Sequence, residues 1–306
     1  MVFLAVLAAA ASCPAQTEVL QEVARQIERD YVIAAEARPL AEDVRSWARQ
    51  GRFAANCGDL RIFASRLEEE LKRRDQHFNI IVPDGAGTDN SGYEDWRREA
   101  HDANAGVRQV AVFENNIGYL RLSEFFSWDL ARPKIATALS LLADSRALIL
   151  DLRQNGGGDG ETADNVLAAL VPEGSTLLGW MESRAGRREN RTLPATALPR
   201  WPADRPVAVL VDRRSGSASE AVAFHLQSLG RAVIVGDRTF GSAHLYGEER
   251  KLPGGLRMTV PQERPIGLRT SASWERIGVR PTVAGGDDPL YVARRHLEGL
   301  LGATRK

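Results

Sequence analysis

Two turns rich in small residues hold groups able to do chemistry, and each stands between an apolar run and a helical pattern. The first turn, at residues 151–158, reads DLRQNGGG. Its consecutive glycines leave backbone N–H groups unshielded at the positive end of the following helix, where they can bind an oxyanion. The alternative is a tight strand-to-helix connection with no chemical role. The segment fits neither the dinucleotide fingerprint GxGxxG nor a phosphate loop ending in Gly-Lys-Ser/Thr.

The second turn, SGSASE at residues 215–220, places Ser217 at the start of a helical pattern. A serine in that position commonly caps the helix, because its side-chain oxygen accepts a backbone N–H. Ser217 is also a candidate nucleophile, since the neighbouring N–H groups would stabilise a developing oxyanion and the small neighbours admit a substrate. The pattern is not GxSxG, so the nucleophile elbow of α/β-hydrolases does not apply.

A nucleophilic serine needs a base, and two histidines are candidates for it. His77 follows Asp75 in the segment Asp-Gln-His, and His244 ends the segment Gly-Ser-Ala-His, closer to Ser217 along the chain. Glu275, in Trp-Glu-Arg-Ile-Gly, is a candidate for the acid that orients the base. Each of these residues alone is more often structural, but together they have the types required for nucleophile, base and orienting acid.

The elements that must position these groups fall into two parts. Three amphipathic helical patterns followed by a short strand at 77–82 predict a small helical N-terminal domain over residues 17–83. Residues 84–106 are rich in Gly, Asp and Asn and are predicted to form a linker, which at 23 residues is too short for an inserted PDZ domain. From residue 107 to residue 306, strand and helix patterns alternate.

Unbroken apolar runs in this second part predict strands that helices bury on both faces, as in an α/β core. The predicted strands are Val107–Phe113, Ile117–Leu122, Ala147–Leu152, Val207–Val211 and Ala232–Val235. The predicted helices are Leu130–Ala143, Glu161–Leu170, Ala218–Leu229 and Pro289–Leu301.

The first 15 residues predict export. An apolar run from Val2 to Ala11 is too short to span a bilayer as a mature helix, and small residues follow it. We interpret residues 1–15 as a signal peptide cleaved after Ala15, which places the mature protein in the periplasm or outside the cell. Lipid attachment at Cys13 is the less favoured alternative. No stable membrane span is predicted.

Composition removes several classes of partner. With 40 basic and 40 acidic side chains the net charge is zero, so no overall charge favours nucleic acid. Two cysteines are too few for a thiolate metal cluster, and no metal or cofactor is predicted. Only four of the basic residues are lysines, which bears on the choice of base.

The order of motifs resembles the serine peptidases that include the C-terminal processing peptidases, the tricorn core and the repeats of interphotoreceptor retinoid-binding protein. This resemblance implies an α/β fold of the ClpP/crotonase type with a spiral core. The segments that carry it are Asp75–His77, Ile117–Arg121, Leu150–Gly158, Ser215–Glu220, Val235–Gly241 and Trp274–Pro281.

The resemblance also implies roles for individual residues. The family nucleophile falls on Ser217. In the C-terminal processing branch the base is a lysine, whose position holds Ser242 here, and the nearby Lys251 would need a rearranged strand to reach that place. In the tricorn-like branch a histidine and a glutamate act as base and orienting acid, and these positions match His77 and Glu275.

The sequence therefore predicts a serine peptidase that acts on a peptide or protein substrate. Ala218 and either Gly157 or Gly158 would donate the oxyanion-hole N–H groups, while His244 and Ser242 would line the substrate position. The alternative from the resemblance is a catalytically silent protein that binds an apolar ligand, as the retinoid-binding relatives do. An acyl-CoA enzyme of the crotonase type is a more distant possibility. The oligomeric state is not predicted.

Overall fold

The computed structural model describes residues 14–83, 91–269 and 272–303, so the predicted signal peptide and Cys13 lie almost wholly outside the described residues. The chain divides into two compact units, each built from separate segments. The first unit contains residues 14–83, 182–186 and 244–264. The second contains residues 91–181, 187–243, 265–269 and 272–303. This division differs from the predicted one, because two later segments belong to the N-terminal unit.

Helices and strands alternate through most of the chain. The helices are α1 (Pro14–Asp30), α2 (Ala34–Arg49), α3 (Leu60–Lys72), α4 (Ser91–Asp102), α5 (Trp128–Leu141), α6 (Gly160–Leu170), α7 (Ala218–Ser228) and α8 (Pro289–Ala303). The strands are β1 (Asn79–Ile81), β2 (Val107–Phe113), β3 (Ile117–Leu122), β4 (Ala147–Asp151), β5 (Leu177–Ser183), β6 (Gly186–Arg191), β7 (Val207–Val211), β8 (Ala232–Gly236), β9 (Leu245–Tyr246), β10 (Arg250–Lys251), β11 (Arg257–Thr259), β12 (Pro261–Gly267) and β13 (Val283–Ala284).

The first unit packs α1, α2 and α3 with a small antiparallel sheet in the order β1-β11-β10. The Asp59 side chain begins α3 by accepting the Ile62 N–H at 2.9 Å. The buried stripes of the three helices share one apolar core with Leu252, Leu256 and Met258. The helical N-terminal region predicted from periodicity is thus confirmed, and it is completed by residues from far along the chain.

A six-stranded sheet in the order β13-β8-β7-β4-β3-β2 forms the centre of the second unit. The strands β3, β4, β7, β8 and β13 are parallel, and β2 pairs with β3 in the antiparallel sense. Side chains of α5, α6 and α7 pack on one face, and α8 packs on the other through Ala293, Leu297 and Leu301. The mixed α/β class is confirmed, and because the central strands are parallel, their carboxyl ends lie at one edge of the sheet.

The predicted linker contains an element that the sequence analysis missed. Residues 91–102 form α4, in which Ala100 is buried and the Trp96 ring packs on Phe126 with centroids 5.6 Å apart. Trp96 and Ala100 are four residues apart and therefore lie on one helix face. The surrounding Gly, Asp and Asn residues obscured this short apolar stripe.

Within the described residues, no helix combines the length and apolar character required to cross a bilayer.

Candidate active site

Ser217 occupies the turn between β7 and α7 in a backbone conformation that side chains rarely adopt. Its φ is 50° and its ψ is −118°, while the following residue, Ala218, is already helical. A non-glycine residue in this region carries local strain, which the surrounding contacts must offset. The Ser217 N–H donates to Glu220 Oε2 at 2.9 Å. The half-buried Ser217 side chain is therefore presented by a fixed turn at a helix N-terminus.

The Glu220 side chain holds this turn in place through hydrogen bonds. It is fully buried, and its carboxylate accepts the Thr239 hydroxyl at 2.5 Å, the Gly241 N–H at 2.7 Å and the Ser242 N–H at 2.8 Å. Burial raises the pKa of Glu220, and these donors oppose the shift. Ser242, predicted to line the substrate position, is itself buried and holds Glu220 through its backbone.

The turn formed by the three glycines at residues 156–158, called the glycine turn below, lies directly against Ser217. Gly157 has a φ of 118°, and a Cβ on it would stand only 2.8 Å from the Ser217 Cβ and 3.0 Å from the Ala218 nitrogen. Only glycine satisfies both the positive φ and this close approach. Asn155, fully buried, supports the turn by accepting the Gly157 N–H at 2.9 Å and donating to the Leu122 carbonyl at 3.1 Å.

These contacts separate the predicted oxyanion donors. The Gly157 N–H is already engaged by Asn155, so of the two predicted glycines Gly158 is the better donor. As the first residue of α7, Ala218 has an N–H without an intrahelical acceptor. Both N–H groups belong to segments that meet at the Ser217 turn.

Glu124 is a titratable group beside the glycine turn that the sequence analysis did not identify. A Cβ on Gly158 would lie 3.2 Å from Glu124 Oε1. Burial, together with the nearby Glu99 carboxylate, raises the pKa of Glu124 to about 7. No motif marks this residue, because its environment depends on a segment 34 positions away in sequence.

In the first unit, Asp75 lies between the two candidate histidines. It is 2% exposed, and its Oδ1 accepts the His77 N–H at 3.0 Å and lies 3.3 Å from His77 Nδ1. Its Oδ2 lies 2.5 Å from His244 Nδ1 and accepts the Tyr31 hydroxyl at 3.2 Å. Burial acts to raise the pKa of Asp75, but the hydrogen bonds from His244 and His77 hold that pKa well below its usual range.

Glu275 lies in the second unit. This half-buried carboxylate accepts the Ala243 N–H at 2.7 Å. The preceding Trp274 is buried and packs on Phe224 with ring centroids 4.6 Å apart. The following Arg276 has a φ of 60° and donates its N–H to the Gly241 carbonyl at 2.8 Å. Glycine adopts such a positive φ without the strain that a side chain brings.

The structure thus gathers the predicted residues into two clusters. Ser217, Ala218 and the glycine turn come together in the second unit, and His77 and His244 share one carboxylate in the first. Besides Glu124, Asp75 and Glu220 are residues to which the sequence analysis assigned no role. A signal existed for Glu220, because Ser217 and Glu220 have the spacing of a capping box. The two-residue separation of Asp75 and His77 permits the side-chain to backbone bond observed.

A serine presented at a helix N-terminus, against a glycine turn that follows a parallel strand, defines a mixed α/β protein with a candidate site at the carboxyl edge of its sheet. Comparison with known families agrees with that class and makes it specific. The family model for peptidase family S41 matches residues 116–284, and the chain belongs to that family.

Curated relatives cover part of the chain. The carboxyl-terminal-processing protease of Synechocystis sp. is 38% identical over 128 residues, which is 41% of this chain and 28% of that protein. The chloroplastic C-terminal processing peptidase of Tetradesmus obliquus is 31% identical over 172 residues, which is 56% of this chain and 35% of that protein. The matched part therefore spans well under half of the length of these relatives.

Solved structures resemble the fold more completely. A lipoprotein from Streptococcus agalactiae superposes with a TM-score of 0.66 at 17% identity, covering 92% of this chain and 96% of that chain. The photosystem II D1 C-terminal processing protease gives a TM-score of 0.55 at 18% identity, covering 90% and 94%. The tricorn protease gives 0.57 at 14% identity, covering 95% of this chain and 37% of that chain. At these identities the likeness concerns the fold.

Proposed function

We propose that this protein is a serine peptidase that hydrolyses peptide bonds with Ser217 as its nucleophile. The observation that carries the proposal is the contact of the strained Ser217 turn with Gly157, which has no room for a side chain. A serine that served only as a helix cap would need neither this φ nor this contact. Membership of peptidase family S41 supports the same reaction class.

In the proposed reaction, the Ser217 oxygen attacks the scissile carbonyl carbon while His77 accepts the hydroxyl proton. The Ala218 and Gly158 N–H groups stabilise the resulting oxyanion. His77 then returns the proton to the leaving amine as the C–N bond breaks, and water hydrolyses the acyl-enzyme by the same path. Glu275 is proposed to orient His77, and Ser242 and His244 to line the substrate position. No metal or cofactor has a part in these steps.

A lysine base is not proposed. The position at which the C-terminal processing branch has its lysine holds Ser242, whose backbone N–H is used by Glu220. Lys251 lies in β10 of the first unit with an exposed side chain.

The proposal predicts reaction with a fluorophosphonate probe. The wild type should be labelled at one site, and Ser217→Ala should abolish labelling. Ser140→Ala, which changes an exposed serine on α5, is the matched control and should label like the wild type. Peptide mapping of the labelled protein gives the site. Labelling that persists in Ser217→Ala would remove the proposal and favour a catalytically silent binding protein.

We also propose that residues 1–15 direct export, so that the mature protein acts in the periplasm or outside the cell. Mass spectrometry of protein recovered from its source should give a chain that starts after Ala15. A lipidated Cys13 at the N-terminus would establish the alternative processing, and intact chains beginning at Met1 in the cytoplasm would contradict export.

A further inference from the structure

We propose that Asp75 and His244 are positioning residues for the catalytic histidine, forming a hydrogen-bonded chain Tyr31/His244–Asp75–His77 in which Asp75, and not Glu275, is the carboxylate that holds the Nδ1 side of His77. This inference rests on the proposed function for its catalytic consequence. The hydrogen bonding itself, namely which ring nitrogen of His244 carries the proton that Asp75 accepts, can be tested without any reaction.

Asp75 uses its two oxygens for different histidines. Oδ1 faces the backbone N–H and the Nδ1 of His77, at 3.0 and 3.3 Å. Oδ2 faces His244 Nδ1 at 2.5 Å and the Tyr31 hydroxyl at 3.2 Å. A carboxylate that is 2% exposed must be stabilised by such donors, because an uncompensated buried charge is costly. The arrangement therefore requires each imidazole to present a proton at Nδ1.

A fixed Nδ1–H leaves Nε2 of a neutral imidazole as the proton acceptor. For His77, the proposed base, this is the tautomer required to take a proton at Nε2. His244 is the shorter contact to Asp75, and it holds the carboxylate in the orientation that His77 uses. His244 thereby acts through Asp75, in addition to its predicted place near the substrate.

Aromatic packing fixes the same group of residues. The Tyr31 ring lies 5.3 Å from the Phe78 ring and edge-on to His244 at 6.4 Å. The His77 ring lies 5.0 Å from the exposed Tyr246 ring. Tyr31, Phe78, His77 and His244 are all buried. Rotamers locked by packing are what a positioning network needs, because a misplaced base loses rate steeply.

The decisive test is a pair of substitutions at His244. In His244→Asn the amide nitrogen falls where Nδ1 was and can still donate to Asp75, whereas in His244→Gln the amide nitrogen falls near the former Nε2. We expect fluorophosphonate labelling of His244→Asn within about tenfold of the wild type. We expect His244→Gln to label about 10²-fold more slowly. Equal rates in the two variants, whether both slow or both normal, would overturn the positioning role.

A second test changes Asp75. In Asp75→Asn one of the two oxygens becomes an N–H donor, so one imidazole loses its acceptor and adopts the other tautomer. Comparable changes in serine peptidases lower turnover about 10⁴-fold, and we expect a loss of 10³–10⁴-fold in labelling rate. The matched control is Asp102→Asn, which alters an exposed Asp–His contact of 3.4 Å with His101 and should have no effect. A normal labelling rate in Asp75→Asn contradicts the inference.

The tautomers are read directly in the full-length Ser217→Ala protein by ¹⁵N NMR of its histidines. His244 should carry its proton on Nδ1, with a strongly downfield imidazole N–H signal that disappears in Asp75→Asn. A proton on Nε2 of His244 would overturn the inference even if the protein is an active peptidase. Conversely, failure of Ser217 labelling would remove the proposed function while leaving this measurement to decide the network.

Discussion

The serine cluster and the histidine cluster are built by different means. Around Ser217 the geometry is set by the backbone, through the positive φ values of Ser217 and Gly157 and the absence of a side chain at Gly157. Around Asp75 it is set by side chains, since one buried carboxylate joins groups as far apart in sequence as Tyr31 and His244. The serine cluster should therefore be intolerant of added atoms, and the histidine cluster of lost hydrogen bonds.

The strongest way to break the serine cluster is to add one methyl group. Gly157→Ala places a Cβ 2.8 Å from the Ser217 Cβ at a φ of 118°, so the turn must shift and the oxyanion donors move with it. We expect labelling to slow by about 10²–10³-fold, as for loss of one oxyanion donor. The neighbouring Gly156→Ala is the control, because a Cβ there meets nothing within 4 Å. Equal rates in the two variants would mean that Gly157 has no role in the reaction.

A buried histidine that packs against Trp274 in the second unit should make the free energy of unfolding depend on pH. Burial lowers the pKa of His225 to about 4, and its ring packs edge-on to Trp274 at 6.0 Å. Because the unfolded chain binds this proton near pH 6.5, the contribution to stability is present above pH 6.5 and is lost as the pH falls to 4. The loss amounts to about 3 kcal/mol at 1.36 kcal/mol per pH unit.

His225→Leu should lack that component, so its free energy of unfolding should fall less between pH 6.5 and pH 4 than that of the wild type. Urea unfolding at several pH values measures the difference. His101→Leu, at an exposed site, should follow the wild type. Parallel pH dependence in wild type and His225→Leu would show that folding does not lower the pKa of His225.

Removal of the Asn155 side-chain amide should weaken the serine cluster, because this amide supports the glycine turn. Asn155→Ala leaves the Leu122 carbonyl and the Gly157 N–H without their partner in a fully buried place. We expect a loss of about 1–3 kcal/mol in the free energy of unfolding. Asn155→Asp keeps the acceptor for Gly157, so it should label faster than Asn155→Ala once both are compared as folded protein. The reverse order would show that the bond to Gly157 does not position the turn.

The smallest expected effect is on stability and concerns Arg276, a residue of the second unit with a strained backbone. Arg276 has a φ of 60°, which costs a side-chain-bearing residue about 1–2 kcal/mol. Arg276→Gly relieves that strain, and Arg276→Ala keeps it while removing the side chain. We expect the glycine variant to be more stable than the alanine variant by about 0.5–1 kcal/mol in thermal unfolding. The difference is smaller than the strain because glycine also gains entropy in the unfolded state, which offsets part of the relief. An alanine variant of equal stability would contradict the assigned strain.

The two clusters also differ in how far the sequence predicts them. The strands Val107–Phe113, Ile117–Leu122 and Val207–Val211 are observed with the predicted bounds, because their apolar runs have clear ends. The turns at their carboxyl ends follow from that sheet. The Asp75–His244 contact does not, because it joins residues 169 positions apart that share no local pattern. Helix α4 was missed for a different reason, since its apolar stripe is too short to stand out from its polar neighbours.

The discontinuous first unit has a consequence for synthesis on the ribosome. Strand β1 pairs with β11, and Asn79 donates to the Thr259 hydroxyl across 180 residues of sequence. At typical translation speeds of 5–20 residues per second, β11 emerges about 10–40 s after β1. During that interval the N-terminal helices, which are synthesised first, expose the apolar surface that later packs against the segment containing β11. Nascent chains of this protein should therefore require a holding chaperone until β11 has emerged.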